Sequence, residues 1–162
     1  MQSARTTDPL ALLDALNGGK VEYIVVGGAA AVLHGAPVST QDLDIVYRLT
    51  RTNVRRLKRV LDQLHAVVRE PTARNLKPDE SHLQAAGQIR LITDCGPLDL
   101  LGRLHDGRSY DELLVRSELV GDRTREVRVV DLATLISIKA TTGRRRDRLV
   151  LPILRELLTR RK

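Results

Sequence analysis

Apolar residues along this chain fall into short runs that alternate between two periods. "EYIVV" (22–26), "LDIVYR" (43–48), "QIRLITD" (88–94) and "PLDLL" (97–101) are brief aliphatic runs bounded by turn residues, and they predict strands. Two further strands are expected near 117–121 and 126–130. Residues 52–67 instead place Val54, Leu57, Val60, Leu61 and Leu64 at helical spacing, with Arg55, Arg56, Lys58 and Arg59 in between. Asp8 followed by Pro9 signals a capped helix start, and that helix should stop at Gly18-Gly19. "GAAAVLH" (28–34) predicts a short helix ending at Gly35, and "SYDELLVR" another. Asp131 should cap a helix running to about Lys139, followed by a last helix over roughly 145–160. The polar stretch 70–88, with Pro71 and Pro78, reads as a loop. Strands interleaved with helices predict an α/β (α+β) class. A single domain over 1–162 is expected, with a core at about 20–130 and a C-terminal helical segment at about 131–160.

Composition narrows this picture. A hydrophobic fraction of 42% supports a packed core, and with aromatics at 2% that core must be aliphatic. Three tyrosines are too few for a base-stacking platform. Cys95 is alone, which excludes an internal disulfide framework and a multi-cysteine zinc site. No apolar run approaches the roughly 18 residues of a membrane span, and "MQSARTTDPL" lacks a signal-peptide core, so a soluble, cytoplasmic protein with no membrane partner is expected. The net charge of +7 favours polyanionic partners, although an Arg-rich surface is also what a high-GC genome produces.

The chemistry concentrates in "IVVGGAAAVLHGAPVSTQDLDIVY" (24–47). Residues i and i+2 of a strand share a face, so Asp42 and Asp44 project together while Leu43 and Ile45 enter the opposite layer. Two like charges this close repel and raise one pKa unless a cation lies between them. An oxygen-only pair of this kind suits Mg²⁺ or Mn²⁺. Asp99, interrupting the apolar "PLDLL", becomes a third carboxylate if its strand neighbours the first; Asp94 competes but reads as a turn residue. Gly27-Gly28 closes one strand and opens a helix, leaving backbone N–H groups accessible to an anion. The sequence there is G-G-A-A-A-V, not the G-x-G-x-x-G of a dinucleotide site. Thr40 either contacts a phosphate or fixes the turn into the strand. Lys139, in the apolar "LISIKA", needs a partner if buried, a phosphate or a carboxylate. His34 reads as a packing or capping residue or a nucleotide contact, and His65, His82 and His105 show no metal-ligand spacing.

Gly-Gly, a short helix ending in "LHG", Thr40-x-Asp42-x-Asp44 and a later strand aspartate together resemble the DNA polymerase β-type nucleotidyltransferase superfamily. More narrowly, "DLDIVYRLTRTNVRRLKRVL", "GPLDLLG" and the Lys-x(4)-Arg-x(2)-Asp pattern of "LATLISIKATTGRRRDRLVLPIL" resemble small bacterial proteins of the abortive-infection (AbiEii/MenT-type) toxin group. The likeness spans about residues 20–158. Val38 departs from it, standing where many relatives carry Arg, and Arg146-Asp147 replaces a common Lys-Asp. The resemblance implies a nucleotidyltransferase fold, with a mixed sheet carrying the carboxylates and helices around it. It implies transfer of a nucleoside monophosphate from an NTP such as ATP to an acceptor hydroxyl. In that scheme Asp42, Asp44 and Asp99 hold Mg²⁺ or Mn²⁺, and Asp99 also helps activate the acceptor. Gly27, Gly28, Ser39 and Thr40 would bind the phosphates, with Lys139 serving the nucleotide and catalysis. Arg144 and Asp147 would either support the site as a pair or touch the nucleotide.

From Lys139 onward the chain carries nine Lys or Arg against two acids, and residues 55–59 add a basic helix face. If both flank the carboxylates, an RNA backbone could lie across the site. The toxin-group resemblance implies tRNA, modified at its acceptor end, and a cognate antitoxin. The alternatives are a protein hydroxyl or a small acceptor such as an aminoglycoside, and a non-catalytic nucleotide-binding module.

Overall fold

The structure is a computed structural model describing residues 7–69 and 76–161. In chain order the elements are α1 (Pro9–Gly18), β1 (Tyr23–Val26), α2 (Gly27–Leu33), β2 (Leu43–Tyr47), α3 (Arg51–Gln63), β3 (Val67–Val68) and α4 (Glu80–Gln84). There follow β4 (Gln88–Thr93), β5 (Gly96–Leu101), α5 (Tyr110–Leu114), β6 (Ser117–Gly121), β7 (Glu126–Val130), α6 (Leu132–Thr142) and α7 (Arg145–Arg160). The strands form one mixed sheet in the order β3-β4-β5-β2-β1-β7-β6. β2 pairs antiparallel with β1 and parallel with β5, and β1 pairs parallel with β7. Two antiparallel hairpins, β4–β5 and β6–β7, extend the sheet on either side.

Central position explains composition here. β1 is buried at every residue, and β2 buries Leu43, Ile45, Val46 and Tyr47, because helices cover both faces of these strands. Tyr47 lies on the face opposite Asp44 and donates its hydroxyl hydrogen to the Leu83 carbonyl oxygen of α4. Tyr23 shares that face and donates to Asn17 of α1. α3 packs against both α1 and α4, so α1, α3 and α4 make one layer. α2 and α6 pack on the carboxylate face, with α7 against α6.

Several expected boundaries shift. The helix expected over 52–67 ends at Gln63, because His65 turns left-handed (φ 52°) and the last carbonyls are closed by His65 N–H to Asp62 and Ala66 N–H to Leu61. The chain then re-enters the sheet as β3, a strand that the helical reading absorbed. Within the expected loop 70–88, Asp79 caps a short helix, α4, while residues 70–75 lie outside the described residues. α6 continues three residues past Lys139 to end at the left-handed Gly143. α1 stops where Gly18-Gly19 suggests, yet the left-handed residue is Lys20; Gly19 is required because a Cβ there would collide with Val60 of α3.

The basic face of α3 is corrected outright. α3 lies in the layer across the sheet from Asp44, so Arg55, Arg56, Lys58 and Arg59 do not flank the carboxylates. Among the described residues no helix is long and apolar enough to cross a membrane.

Candidate active site

The register of the three central strands assembles the site. Asp44 of β2 lies directly beside Asp99 of parallel β5, and Val26 of β1 flanks Asp44 on its other side. Partners in register project to one face, so Asp44 and Asp99 stand together with Asp42 just ahead of β2. Asp99 is buried, Asp42 and Asp44 half-buried. Asp94 sits at the β4–β5 turn instead, hydrogen-bonded to His65.

Such crowding has an electrostatic consequence. Burial, reinforced by the charge of Asp99, its hydrogen bond and the charge of Asp42, pushes the Asp44 carboxyl up to about 7; Lys139 pulls in the other direction. Burial also raises Asp99, opposed by the charge of Arg69. Asp44 Oδ1 is buried with no hydrogen-bond partner among the described residues. A buried acceptor without a donor is costly, and it marks the place where a cation would be stabilised most.

Gly27 completes this arrangement. It begins α2 at φ 67°, and a Cβ at that position would overlap the Asp44 carboxylate. Gly28 is next to Thr40, whose hydroxyl donates to the Asp42 carbonyl oxygen at 3.1 Å and so fixes the turn into β2. Gly27, Gly28, Ser39, Thr40, Asp42 and Asp44 form one wall of a cavity of about 480 Å³. Lys139, Arg144, Arg146 and Asp147 form the facing wall, supplied by α6 and the start of α7.

That second wall is tightly paired. Lys139 donates to Asp147 Oδ1 at 3.0 Å with both groups buried. Thr142 donates to Asp147 Oδ2, and Arg144 Nε lies 3.4 Å from the same oxygen. Burial alone would raise the Asp147 carboxyl, but hydrogen bonds from Thr142 and Lys139, with the charges of Lys139 and Arg144, hold it below the usual range. Lys139 therefore has a carboxylate partner, and its charge still reaches Asp44.

Arg69 was not foreseen. It follows β3, and its guanidinium donates to Asp99 Oδ1 at 2.8 Å while lying 3.7 Å from Asp42 Oδ1. Nothing in "AVVRE" marks this arginine, because its position depends on edge-strand pairing across β4. Thr142 was also missed, although it follows Lys139 by three positions on one helix face. His34 is held by the fold: its Nε2 bonds the Val130 carbonyl oxygen at 2.7 Å, and it is not among the residues lining this cavity. Cys95 is half-buried near the β4–β5 turn, and burial raises its thiol pKa.

The donor chemistry fits a divalent cation. Asp44 offers an unpartnered buried oxygen, Asp42 and Asp99 add carboxylates beside it, and all donors are hard oxygens. As disposed, no three His, Cys, Asp or Glu side chains among the described residues already converge as a cage, and Arg69 engages two of these aspartates.

No family model matches the sequence, and no curated protein matches it. Solved structures do. A Thermotoga maritima protein, TM1012, whose nucleotidyltransferase assignment is itself provisional, shares 20% identity at a TM-score of 0.55, covering 97% of this chain and 98% of its own. The lincosamide antibiotic adenylyltransferase LnuA, solved with lincomycin bound, shares 12% identity at a TM-score of 0.65, covering 94% of this chain and 99% of its own. At these identities the likeness is one of fold: the chain has the mixed-sheet fold of these nucleotidyltransferases, with the helical C-terminus included.

Proposed function

We propose that this protein is a nucleotidyltransferase that moves a nucleoside monophosphate from an NTP, ATP among them, to an acceptor hydroxyl. The observation that carries the reading is the row of Asp44 and Asp99, with a buried, unpartnered Asp44 oxygen and Asp44 itself lining a cavity whose far wall is basic. The acceptor oxygen forms a bond to the α-phosphorus, the bond from that phosphorus to the β-phosphate oxygen breaks, and pyrophosphate leaves. Asp99, beside Asp44 in register, is placed to receive the hydroxyl proton. Lys139, Arg144 and Arg146 face the triphosphate and offset its charge, while Gly27, Gly28, Ser39 and Thr40 let it approach the sheet. Asp147 holds Lys139 in place. Mg²⁺ or Mn²⁺ bound by Asp42, Asp44 and Asp99 would lower the hydroxyl pKa and neutralise the leaving pyrophosphate.

The acceptor we favour is RNA, in particular the acceptor end of tRNA, with the protein acting as a toxin restrained by a cognate antitoxin. Supporting this are the net charge of +7 and the resemblance of the Asp42–Asp44, Asp99 and Lys139–Asp147 segments to the toxin group. A second reading, a small-molecule hydroxyl, draws on the fold likeness to LnuA, which acts on a lincosamide antibiotic.

Incubating the protein with Mg²⁺, each α-labelled NTP and total tRNA tests this, alongside Asp42→Asn with Asp44→Asn. The expected result is label in tRNA from the wild type only. Label in a lincosamide or aminoglycoside supplied instead would select the second reading. Label from the double variant equal to that from the wild type would remove the catalytic assignment.

A further inference from the structure

The sheet carries a charged row that extends past the carboxylates. Arg69 donates its backbone N–H to Arg90 O at 2.9 Å, Arg90 is the cross-strand partner of Asp99, and Asp99 neighbours Asp44. Residues opposite one another across a sheet share a face, so Arg69, Arg90, Asp99 and Asp44 line up on one side, on four adjacent strands or their ends. Along β4, Leu91 and Thr93 are buried, whereas Gln88 and Arg90 are exposed. The carboxylate face is therefore open at β4 among the described residues. The cavity facing Lys139 is lined by neither Arg69, Arg90 nor Asp99. A triphosphate and an acceptor would thus approach Asp44 from opposite sides.

We propose that Arg69 and Arg90 anchor the phosphates of a polynucleotide acceptor whose terminal hydroxyl lies at Asp99, and that Arg69 leaves Asp42 and Asp99 for that phosphate when cations take the carboxylates. The inference rests on the transferase reading above and names the side from which its acceptor is held. A guanidinium presents a planar fork that matches phosphate oxygens as well as carboxylate ones. Arg69 already spans two aspartates, at 2.8 and 3.7 Å, so a divalent cation and Arg69 compete for the same oxygens. Once displaced, Arg69 remains tied by its backbone next to Arg90, and two positive charges then stand beside the hydroxyl-activating Asp99. A cationic antibiotic would be repelled by the two arginines, and a neutral hydroxyl compound would offer them only uncharged acceptors, which hold a guanidinium more weakly than a phosphate does. A nucleic acid strand supplies a phosphate beside its terminal sugar, and the +7 chain favours it.

Four proteins decide the matter: wild type, Arg69→Gln, Arg90→Gln and Arg90→Lys, each verified by thermal melting and by NTP binding. Binding of bulk tRNA without NTP is measured in Mg²⁺ across a salt series, and Mn²⁺ binding is measured separately. Arg90→Gln should weaken tRNA binding about 5- to 10-fold and lower the salt slope by about one, leaving NTP binding as in wild type. Arg69→Gln should weaken tRNA binding to a similar degree while binding Mn²⁺ several-fold more tightly, because the competing cation is gone. Arg90→Lys should restore most of the affinity. Unchanged tRNA affinity in both variants, with wild type still labelling tRNA, overturns this inference and leaves the transferase reading standing. Weaker Mn²⁺ binding in Arg69→Gln overturns the exchange. Wild type that labels only a protein or an antibiotic overturns the polynucleotide acceptor itself.

Discussion

Two walls of one cavity treat the same side chain in opposite ways. On the sheet wall Asp44 is crowded by Asp99 and Asp42, has one oxygen without a partner, and is pushed up to about 7. On the helical wall Asp147 is buried too, yet it receives Lys139, Thr142 and Arg144, and its pKa falls. Burial is common to both; the number of donors is not. A carboxylate satisfied within the fold is framework, whereas one left unsatisfied on a rigid strand is held ready for something that arrives later. The site thus divides into a finished half that fixes Lys139 and an unfinished half in which an Asp44 oxygen has no partner.

The largest effect that would break this contrast concerns activity. Asp44→Asn should reduce nucleotide transfer on the order of 10³-fold or more, as loss of a central electrostatic group does, while leaving the metal-free protein as stable or more so. Labelling assays and melting curves read both halves of that expectation. Asp147→Ala should act in the other order, destabilising the fold by about 3–5 kcal/mol because Lys139 is left buried and uncompensated. Denaturant titration checks this, and Lys139→Met combined with Asp147→Leu should recover most of the stability without restoring transfer.

A subtler effect is pH dependence without metal. Asp44 binds its proton more tightly folded than unfolded, so stability falls as pH rises from its ordinary value near 3.8 through about 7. Asp147 has the opposite sign, since its pKa is lowered on folding: its contribution is present above the ordinary carboxylate range and is lost as pH falls below it. Melting temperatures in chelator should therefore decline between pH 5 and about pH 7, and saturating Mn²⁺ should flatten that decline. The smallest effect is expected from Arg55→Gln with Arg59→Gln. These side chains lie across the sheet from the carboxylates, so tRNA labelling should change by less than about twofold, the range of ordinary surface substitutions.

How much of this was legible beforehand follows from the range of each interaction. The strands 88–94, 97–101, 117–121 and 126–130 and the caps at Asp8 and Asp131 are written in local pattern, and the elements appear where that pattern puts them. Asp42 and Asp44 announce themselves because charge inside an apolar strand is expensive. The pairing of Asp44 with Asp99 is a matter of register between strands more than 50 positions apart, and periodicity carries no register. β3 failed for a related reason: two residues at an edge leave no period to read, and the helical pattern before them ran on past His65. Arg69 inherits that blindness. The basic face of α3 was readable as a face, but the side of the sheet on which it lies is decided by packing against α1 and α4.

The contrast between the two walls is tested most directly by equilibrium Mn²⁺ binding, read by electron paramagnetic resonance, to wild type, Asp44→Asn and Asp147→Asn. Binding by the wild type is expected, with loss in Asp44→Asn and retention in whatever fraction of Asp147→Asn is folded. Equal Mn²⁺ binding by wild type and Asp44→Asn, or none by the folded wild type with NTP present, would contradict it.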